Sequence, residues 1–391
     1  MKLQLAPARL LSALIPILTI TPAACAHSVI ISRIWPPSDL NPVSNRSPAR
    51  IPVVIWHGLS DSYANPGLDR LAQKIDLRYP GTTVYKIRLA DSDAQDRRAT
   101  WFGSANEQVA SVCDQLSQID ELSLGFDAIG LSQGGQLMRA YTQRCNRPKV
   151  RNLITLGSQH MGVSGTAPCT SLFDLGCHVL HKLIESGTVY GPYAQQNVIP
   201  AQYFRDQSNL APYMKHNDFL RDINNERWND TQPADSGSLP IGEPEDGVKY
   251  QPRNETYKQN FQSLESFVMF RFTADTLVIP PTSAYFTIPN ATESTLPDIL
   301  DPIPIALQDL PIYQEDYIGL KVLDEAGKIH YGTCFGAHMQ IDEDCWENVM
   351  DWLGDQSRSE ANLLLQTGPQ NQQLWESVVA VGPGILAMQQ I

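Results

Sequence analysis

Ser132 lies at the centre of a glycine-rich pattern that is typical of a nucleophilic serine. The residues Gly130-Leu131-Ser132-Gln133-Gly134 follow a short apolar run and precede a segment, 136–145, that contains no glycine or proline. This order predicts a strand ending at Ile129, a sharp turn with the serine hydroxyl exposed, and then a helix. The glycines allow the strand and the helix to pass close together. The alternative interpretation is an ordinary glycine-rich turn without a catalytic role.

A serine hydroxyl attacks a carbonyl only with the help of a general base, and the base needs a carboxylate that orients it. In doubly wound hydrolases the acid follows the serine along the chain, and the histidine comes last. His338 is predicted as the base because it lies between the last predicted strand and the last predicted helix. Asp275 directly follows an apolar strand and is predicted as the acid, with Asp298 and Asp301 as alternatives. The alternative without catalysis is that His338 is a hydrogen-bonded loop histidine and that Asp275 is a turn or helix-cap aspartate.

The backbone N–H groups of Leu59 and Gln133 are predicted to bind the oxyanion that forms during acyl transfer. Leu59 follows an apolar strand and His57-Gly58, and Gln133 follows the serine, as in hydrolases of this type. For the side chain of His57 we favour a structural role. The sequence contains no metal-ligand cluster, phosphate loop or dinucleotide fingerprint, so no cofactor and no metal are expected.

Strands and helices alternate around these residues, which predicts an α/β fold with a doubly wound, mostly parallel sheet. Helices are predicted at 68–75, 104–119, 136–145, 178–184 and 346–353, and strands at 51–56, 83–89, up to 129, 152–156, 266–272 and 328–331. Residues 332–339 are predicted to form a loop.

We assign residues 50–355 to the hydrolase domain, with a cap insertion at about 158–262, because the alternation is lost within that interval. Residues 229–252 are rich in Asp, Glu, Pro, Gly and Ser and predict a long exposed loop. Residues 356–391 form a C-terminal extension to which we assign no function.

The first 26 residues are typical of a cleaved signal peptide. Lys2 and Arg9 precede an apolar run, and Ala24-Cys25-Ala26 supplies the small residues that a signal peptidase requires. The run is too short for a bilayer span, and no later stretch is long enough, so no transmembrane segment is predicted. Residues 27–49 are interpreted as a leader. The net charge of −13 becomes −15 when two cationic residues leave with the signal, which argues against a nucleic-acid partner.

Six of the seven cysteines remain after cleavage of the signal peptide, and an even number in an exported chain predicts three disulfides. Cys169 and Cys177 are close enough in sequence to close a small loop. Four Asn-x-Ser/Thr motifs are consistent with N-glycosylation on the secretory route, at Asn45, Asn229, Asn254 and Asn290.

Several stretches together resemble the palmitoyl-protein thioesterases of the α/β-hydrolase superfamily. They are Val54-Ile-Trp-His-Gly-Leu-Ser-Asp-Ser62, Ile129-Gly-Leu-Ser-Gln-Gly-Gly135, Gly157-Ser-Gln-His-Met-Gly-Val163, Phe219-Leu-Arg-Asp-Ile-Asn-Asn-Glu-Arg227, Asn254-Glu-Thr-Tyr-Lys-Gln-Asn260 and Gly336-Ala-His-Met-Gln340. The resemblance covers about residues 50–355 and is far more specific than the serine motif alone.

This resemblance places Ser132, Asp275 and His338 on the family's triad, and Leu59 with Gln133 on its oxyanion hole. It also implies the disulfides Cys113–Cys145 and Cys169–Cys177, while Cys334 and Cys345 are a further pair outside the family pattern. Leu59-Ser60 stands where the family commonly has Met-Gly, and Gly336-Ala337-His338 replaces a Gly-Asp-His pattern.

The activity implied by the resemblance is hydrolysis of long-chain fatty acyl thioesters on S-acylated cysteines of proteins or peptides. Location in the secretory pathway is expected, in the lysosome or vacuole or outside the cell. Two alternatives remain: a secreted carboxylester lipase, and a catalytically silent lipid-binding protein on the same fold. The sequence does not determine the oligomeric state.

Overall fold

The structure is a computed structural model that describes residues 30–35, 50–169, 171, 174–227, 252–289 and 304–354. Its strands are β1 (Ile30–Trp35), β2 (Val53–Trp56), β3 (Val84–Arg88), β4 (Phe126–Leu131), β5 (Val150–Leu156), β6 (Ser266–Ala274), β7 (Ile288–Pro289), β8 (Pro304–Ile305) and β9 (Ile329–Ala337). Its α-helices are α1 (Pro66–Arg78), α2 (Asp93–Trp101), α3 (Ala105–Leu116), α4 (Gln133–Arg144), α5 (Leu175–Glu185), α6 (Pro192–Asn197), α7 (Leu210–His216), α8 (Leu220–Ile223), α9 (Glu255–Gln262), α10 (Pro311–Gln314), α11 (Leu320–Glu325) and α12 (Glu343–Met350).

Seven strands form one sheet in the order β1-β3-β2-β4-β5-β6-β9, and β7 pairs with β8 separately. All neighbours in the large sheet are parallel except β1, which pairs antiparallel with β3. The predicted α/β-hydrolase class with a mostly parallel sheet is therefore confirmed. Because the carboxyl ends of parallel strands meet at one edge, residues that follow β4, β6 and β9 can converge there.

Strand β2 shows how the sequence divides the core between the two faces of the sheet. Val53 and Ile55 pack into one apolar cluster, which also contains Leu68 of α1 and Val349 of α12. Val54 and Trp56 point the opposite way into a larger cluster with residues of α3 and α4. Successive side chains of a strand alternate between faces, so a continuous apolar run supplies both layers of a buried parallel sheet.

Local sequence signals determine where the helices begin. The Asn65 side chain accepts a hydrogen bond from the Gly67 N–H (2.7 Å) and caps α1, whose first residue is a proline. Ser104 accepts from the Glu107 N–H (3.3 Å) and caps the start of α3, within the helix predicted at 104–119.

Parts of the predicted organisation fall outside the described residues. These are the signal peptide 1–26, the acidic loop 229–252 apart from its last residue, the extension 356–391, and Asn45, Asn229 and Asn290. Within the predicted leader, Ile30–Trp35 forms β1 and covers the edge of β3. Between β5 and β6 the described residues form α5 to α9 and contribute no strand to the large sheet. Among all described residues, no helix is long and apolar enough to cross a membrane.

Asp127 is a fully buried carboxyl near the start of the central strand β4. It accepts hydrogen bonds from the Asn152 amide (3.0 Å) and from the Gly354 N–H (2.7 Å). Burial raises the pKa of Asp127 to about 7, although the hydrogen bonds from these donors act to lower it. The Asn152 Oδ1 atom has no hydrogen-bond partner in the described part of the chain.

We expect Asp127 to make the protein more stable at acidic than at neutral pH. The pKa of Asp127 is higher in the folded than in the unfolded state. Its contribution to the free energy of unfolding is therefore fully present below about pH 4 and is lost as the pH rises towards about 7. Asp127→Asn keeps the shape and stays neutral, so the mutant should gain stability relative to wild type by about 2 kcal/mol between about pH 5 and about pH 7. Urea unfolding of both proteins at the two pH values measures this. A stability difference that does not change with pH contradicts the assignment.

Candidate active site

Ser132 occupies the junction between β4 and α4 in a strained backbone conformation, with φ 52° and ψ −122°. Positive φ is uncommon for residues other than glycine and is concentrated at functional sites. The flanking glycines are sterically required: a Cβ at Gly130 would lie 2.2 Å from the Cα of Gly135, and one at Gly134 would lie 2.2 Å from the carbonyl oxygen of Trp56. The strand continues to Leu131, two residues beyond the prediction, so the serine follows it directly.

The structure brings the three predicted catalytic side chains together. Ser132 Oγ lies 2.8 Å from His338 Nε2, although the residues are 206 positions apart. His338 Nδ1 lies 2.6 Å from Asp275 Oδ2. The Asp275 Oδ1 atom accepts from the N–H groups of Leu277 (2.9 Å) and Val278 (3.0 Å). Because this carboxylate can only accept, the histidine donates its Nδ1–H and presents Nε2 to the serine as a proton acceptor.

Two adjacent strands bring Asp275 and His338, the predicted acid and base, to the same edge of the sheet. Asp275 directly follows β6, and His338 directly follows β9, with which β6 pairs in parallel. The aspartate is buried and the histidine is largely buried. Both alternatives to Asp275, namely Asp298 and Asp301, lie outside the described residues.

The prediction of a loop from residue 332 was wrong, because β9 extends to Ala337. Gly332 suggested a turn, but its role is packing: a Cβ there would lie 2.3 Å from the Cε1 atom of Phe270 on the neighbouring strand. A glycine with positive φ comes later, at Gly336 (φ 120°), near the end of the strand and two residues before His338.

The imidazole of His338 is confined by two neighbours. Phe272 of β6 meets it edge to face, with ring centroids 5.8 Å apart. Gly157 leaves room for it, since a Cβ at that position would lie 2.9 Å from His338 Cε1. The ring is therefore held by packing as well as by Asp275.

The two predicted oxyanion donors come from different elements, Gln133 from α4 and Leu59 from the loop after β2. Gln133 is the first residue of α4, so its N–H has no acceptor within the helix. Its side chain donates to the carbonyl oxygen of Thr100 (3.1 Å) and accepts from the Tyr203 hydroxyl (3.0 Å). Leu59 lines the same cavity as Ser132 and lies in the loop after β2.

His57 has a structural environment, as favoured from the sequence. Its Nε2 atom lies 2.9 Å from Asp96 Oδ2, and both side chains are fully buried. Asp96 also accepts from the N–H groups of Tyr63 (2.9 Å) and Ala90 (2.9 Å), so the pair ties the loop after β2 to the start of α2.

A cavity of about 780 Å³ opens over Ser132 and His338. This volume lies within the range of about 300 to 1,000 Å³ that is usual for sites holding ligands of drug-like size. Its lining is mainly apolar and includes Leu59, Leu68, Leu71, Trp101, Val163, Leu180, Pro200, Tyr203, Leu277, Val278, Met339 and Ile341. Charged side chains from the loop after β2, from α1 and from the start of α12 line it as well: Asp61, Arg70, Lys74, Asp342 and Glu343.

Three disulfides form, Cys113–Cys145, Cys169–Cys177 and Cys334–Cys345, which confirms the predicted pairs. Cys169, Cys177 and His181 also bring three possible ligand atoms within 4.8 Å of one another. The two sulfur atoms are joined to each other, so they offer no thiolate to a metal ion. The third disulfide closes the segment between β9 and α12 that carries His338.

Removing the third disulfide should weaken the support of the base. We expect the double mutant Cys334→Ala/Cys345→Ala to lose about 3 kcal/mol of unfolding free energy, the value expected for a loop of this length. Its hydrolytic rate should fall at temperatures where the wild type remains fully active. Denaturant unfolding and rate measurements on both proteins test this. Equal stability of the two proteins contradicts the prediction.

Asn254 is the predicted glycosylation site that the structure describes. It is exposed, and its side-chain oxygen accepts from the Thr256 N–H (3.0 Å) at the start of α9. The exposure of Asn254 is compatible with attachment of a glycan to its side-chain nitrogen.

The residues that hold the loop of Leu59 in place were not predicted from the sequence, because no helix or strand was expected between 89 and 104. They lie in α2, and the most important are Thr100 and Trp101. The pattern Ser92-x-x-Gln95 could have indicated this helix, since Ser92 accepts from the Gln95 N–H and caps α2.

A doubly wound sheet carrying a hydrogen-bonded Ser–His–Asp chain at its carboxyl edge defines a hydrolase of the α/β-hydrolase class. The chain belongs to the palmitoyl protein thioesterase family, whose sequence profile matches residues 52–338.

Individual relatives agree with this family membership. The chain is 33% identical over 293 residues to palmitoyl-protein thioesterase 1 of Caenorhabditis elegans, covering 75% of this chain and 87% of that protein. It is 32% identical to the palmitoyl-protein thioesterase-dolichyl pyrophosphate phosphatase fusion 1 of Schizosaccharomyces pombe, covering 84% of this chain and 48% of that protein. The chain thus spans about half the length of the fusion protein. It is 27% identical to the lysosomal thioesterase PPT2 homolog of Drosophila melanogaster, covering 71% of this chain and 82% of that protein.

Proposed function

We propose that this protein is a palmitoyl-protein thioesterase that hydrolyses long-chain fatty acyl thioesters on S-acylated cysteines of proteins or peptides. The observation that carries the proposal is the Ser132–His338–Asp275 hydrogen-bonded chain opening into a cavity with an extended apolar wall. Membership of the thioesterase family supports the same reaction.

In the first half of the reaction, His338 Nε2 takes the proton of Ser132 as Oγ attacks the thioester carbonyl carbon. The backbone N–H groups of Leu59 and Gln133 bind the resulting oxyanion. Its collapse breaks the carbon–sulfur bond, and the histidine returns the proton to the departing thiolate. The product is an acyl ester on Ser132 and a free thiol.

In the second half, water attacks the acyl-serine while His338 removes one of its protons. Collapse of the second oxyanion releases the fatty acid, and the proton returns to Ser132 Oγ. Asp275 keeps its negative charge and stabilises the imidazolium in both halves.

The shape of the cavity suggests how the substrate is oriented. The acyl chain occupies the part lined by Trp101, Val163 and Leu180, where its burial is favourable. We place the peptide that carries the thiol towards Lys74 and Glu343, whose charged side chains also line the cavity. The helices between β5 and β6 act in this view as the cap, at about residues 158–262, and supply Leu180, Pro200 and Tyr203 to the cavity wall.

The decisive experiment is intact-mass spectrometry after brief mixing with a palmitoyl thioester. A mass increase of one palmitoyl group, mapped to Ser132, supports the proposal. A catalytically silent lipid-binding protein would form no acyl-enzyme. Comparing turnover of a thioester and an oxygen ester with the same acyl chain distinguishes a thioesterase from a carboxylester lipase.

We further propose that the chain enters the secretory pathway by its signal peptide, is N-glycosylated and functions in the lysosome or vacuole. The name of the Drosophila relative supports the lysosome, and the three disulfides fit an oxidising compartment. Protein from a secreting host should begin at His27 and lose mass on treatment with an N-glycosidase. A retained Met1 in that protein contradicts the processing step.

A further inference from the structure

The last turn of α2 contacts the neighbourhood of both proposed oxyanion donors. Thr100, which is fully buried, accepts the Ser60 N–H on its hydroxyl oxygen (2.9 Å). Its carbonyl oxygen accepts from the side-chain amide of Gln133 (3.1 Å). Ser60 directly follows Leu59, so one residue is linked to the loop of one donor and to the side chain of the other.

Ser60 is bound to the same turn through three of its atoms. Besides its N–H, its carbonyl oxygen accepts from Arg97 Nη1 (2.9 Å), and its Oγ accepts from the indole N–H of Trp101 (2.7 Å). The residue has φ 62°, a left-handed conformation that is costly for a residue with a side chain. Such a conformation persists where surrounding contacts over-determine it, and α2 supplies those contacts here.

Trp101 extends this network into the cavity wall. Its indole lines the cavity together with Ser132, and α5 packs against its ring at Gly176. A Cβ at Gly176 would lie 2.3 Å from Trp101 Cδ2, so the contact is close. The indole therefore cannot shift towards α5, and its N–H remains directed at the Leu59–Ser60 loop.

We propose that Thr100 is a positioning residue that sets the separation of the Leu59 and Gln133 N–H groups, with the Ser60–Trp101 hydrogen bond as a second restraint. This inference rests on the proposed function, since it assumes that these N–H groups bind an oxyanion. Oxyanion donors act on the transition state more than on the bound substrate. A loosened loop should therefore lower kcat and leave KM nearly unchanged.

The test is Thr100→Val, which keeps the shape of the side chain and removes its hydroxyl. We expect kcat for a palmitoyl thioester to fall about tenfold or more, less than the ~100- to 1,000-fold loss that follows removal of a whole donor. Thr100→Ser should restore most of the rate because it restores the hydroxyl. The matched control is Thr142→Val, since Thr142 is equally buried and, among the described residues, its hydroxyl donates only to the Met138 carbonyl oxygen within α4 (2.9 Å).

A transition-state mimic provides a second readout. A palmitoyl trifluoromethyl ketone forms a hemiketal oxyanion on a serine, whereas palmitate does not. Thr100→Val should weaken binding of the ketone at least severalfold more than binding of palmitate. If Thr100→Val does not fold, Ser60→Ala, which removes only the acceptor of the Trp101 N–H, should show the same preferential loss on a smaller scale.

The outcomes separate the two proposals. A wild-type protein that forms no acyl-enzyme, turns over no thioester and binds the ketone no more tightly than palmitate contradicts the proposed function and, with it, the positioning role that rests on it. An active wild type with a Thr100→Val rate within twofold of Thr142→Val overturns the positioning role. Equal weakening of ketone and palmitate binding overturns it as well.

Discussion

Ser132→Ala is expected to lower kcat for a palmitoyl thioester by at least about ten-thousandfold, because it removes the hydroxyl that we propose accepts the acyl group. The hydroxyl makes one hydrogen bond in the structure, to His338 Nε2. Alanine keeps the Cβ and the positive φ of the elbow, so the free energy of unfolding should change by less than about 1 kcal/mol.

Steady-state hydrolysis and denaturant unfolding of the same preparations measure both effects of this mutation. Ser111→Ala is a suitable control because Ser111 lies on α3, and its Oγ accepts only from Gln115 among the described residues (3.2 Å). The control should retain the wild-type rate. Substantial thioester turnover by folded Ser132→Ala would exclude the serine as nucleophile.

Asp275→Asn should produce the second large effect, a fall in kcat of about ten-thousandfold with little change in structure. The amide is close in shape to the carboxylate but can donate a hydrogen bond to His338 Nδ1. It would then stabilise the tautomer that carries its proton on Nε2, which cannot accept the serine proton. The substitution also removes the negative charge that stabilises the imidazolium.

Rates for this mutant should be compared with those of Asp309→Asn, an exposed aspartate in the short helix before α10. Thermal unfolding should show both mutants folded. KM for the thioester should change little, since Asp275 does not line the cavity. An Asp275→Asn enzyme within tenfold of wild type would move the orienting role to another carboxylate.

The serine elbow and the chain order of the catalytic residues could be predicted because both depend on local sequence. The glycines around Ser132 are required because a Cβ at these positions would clash with backbone atoms a few residues away or on the neighbouring strand. Asp275 could be placed because an apolar strand precedes it. The predicted contact between Ser132 and His338 required only that parallel strands end at a common edge, which the alternation of elements already implied.

Other features depend on long-range packing and could not be read from the sequence. Gly332 looks like a turn residue until Phe270 is placed beside it on the neighbouring strand. Ser60 looks like an ordinary loop serine until α2 surrounds it with Arg97, Thr100 and Trp101. Propensity alone does not reveal that a tertiary contact has decided the conformation of such residues.

The position of β9 has a consequence for synthesis of the protein. Within the part of the chain that the structure describes, β9 is an edge strand of the large sheet and pairs only with β6, and His338 directly follows it. Ser132 is translated about two hundred residues earlier, before His338 is present to activate it. We therefore expect a nascent chain on the ribosome, or a fragment truncated before residue 329, to hold an unreactive serine until β9 joins the sheet.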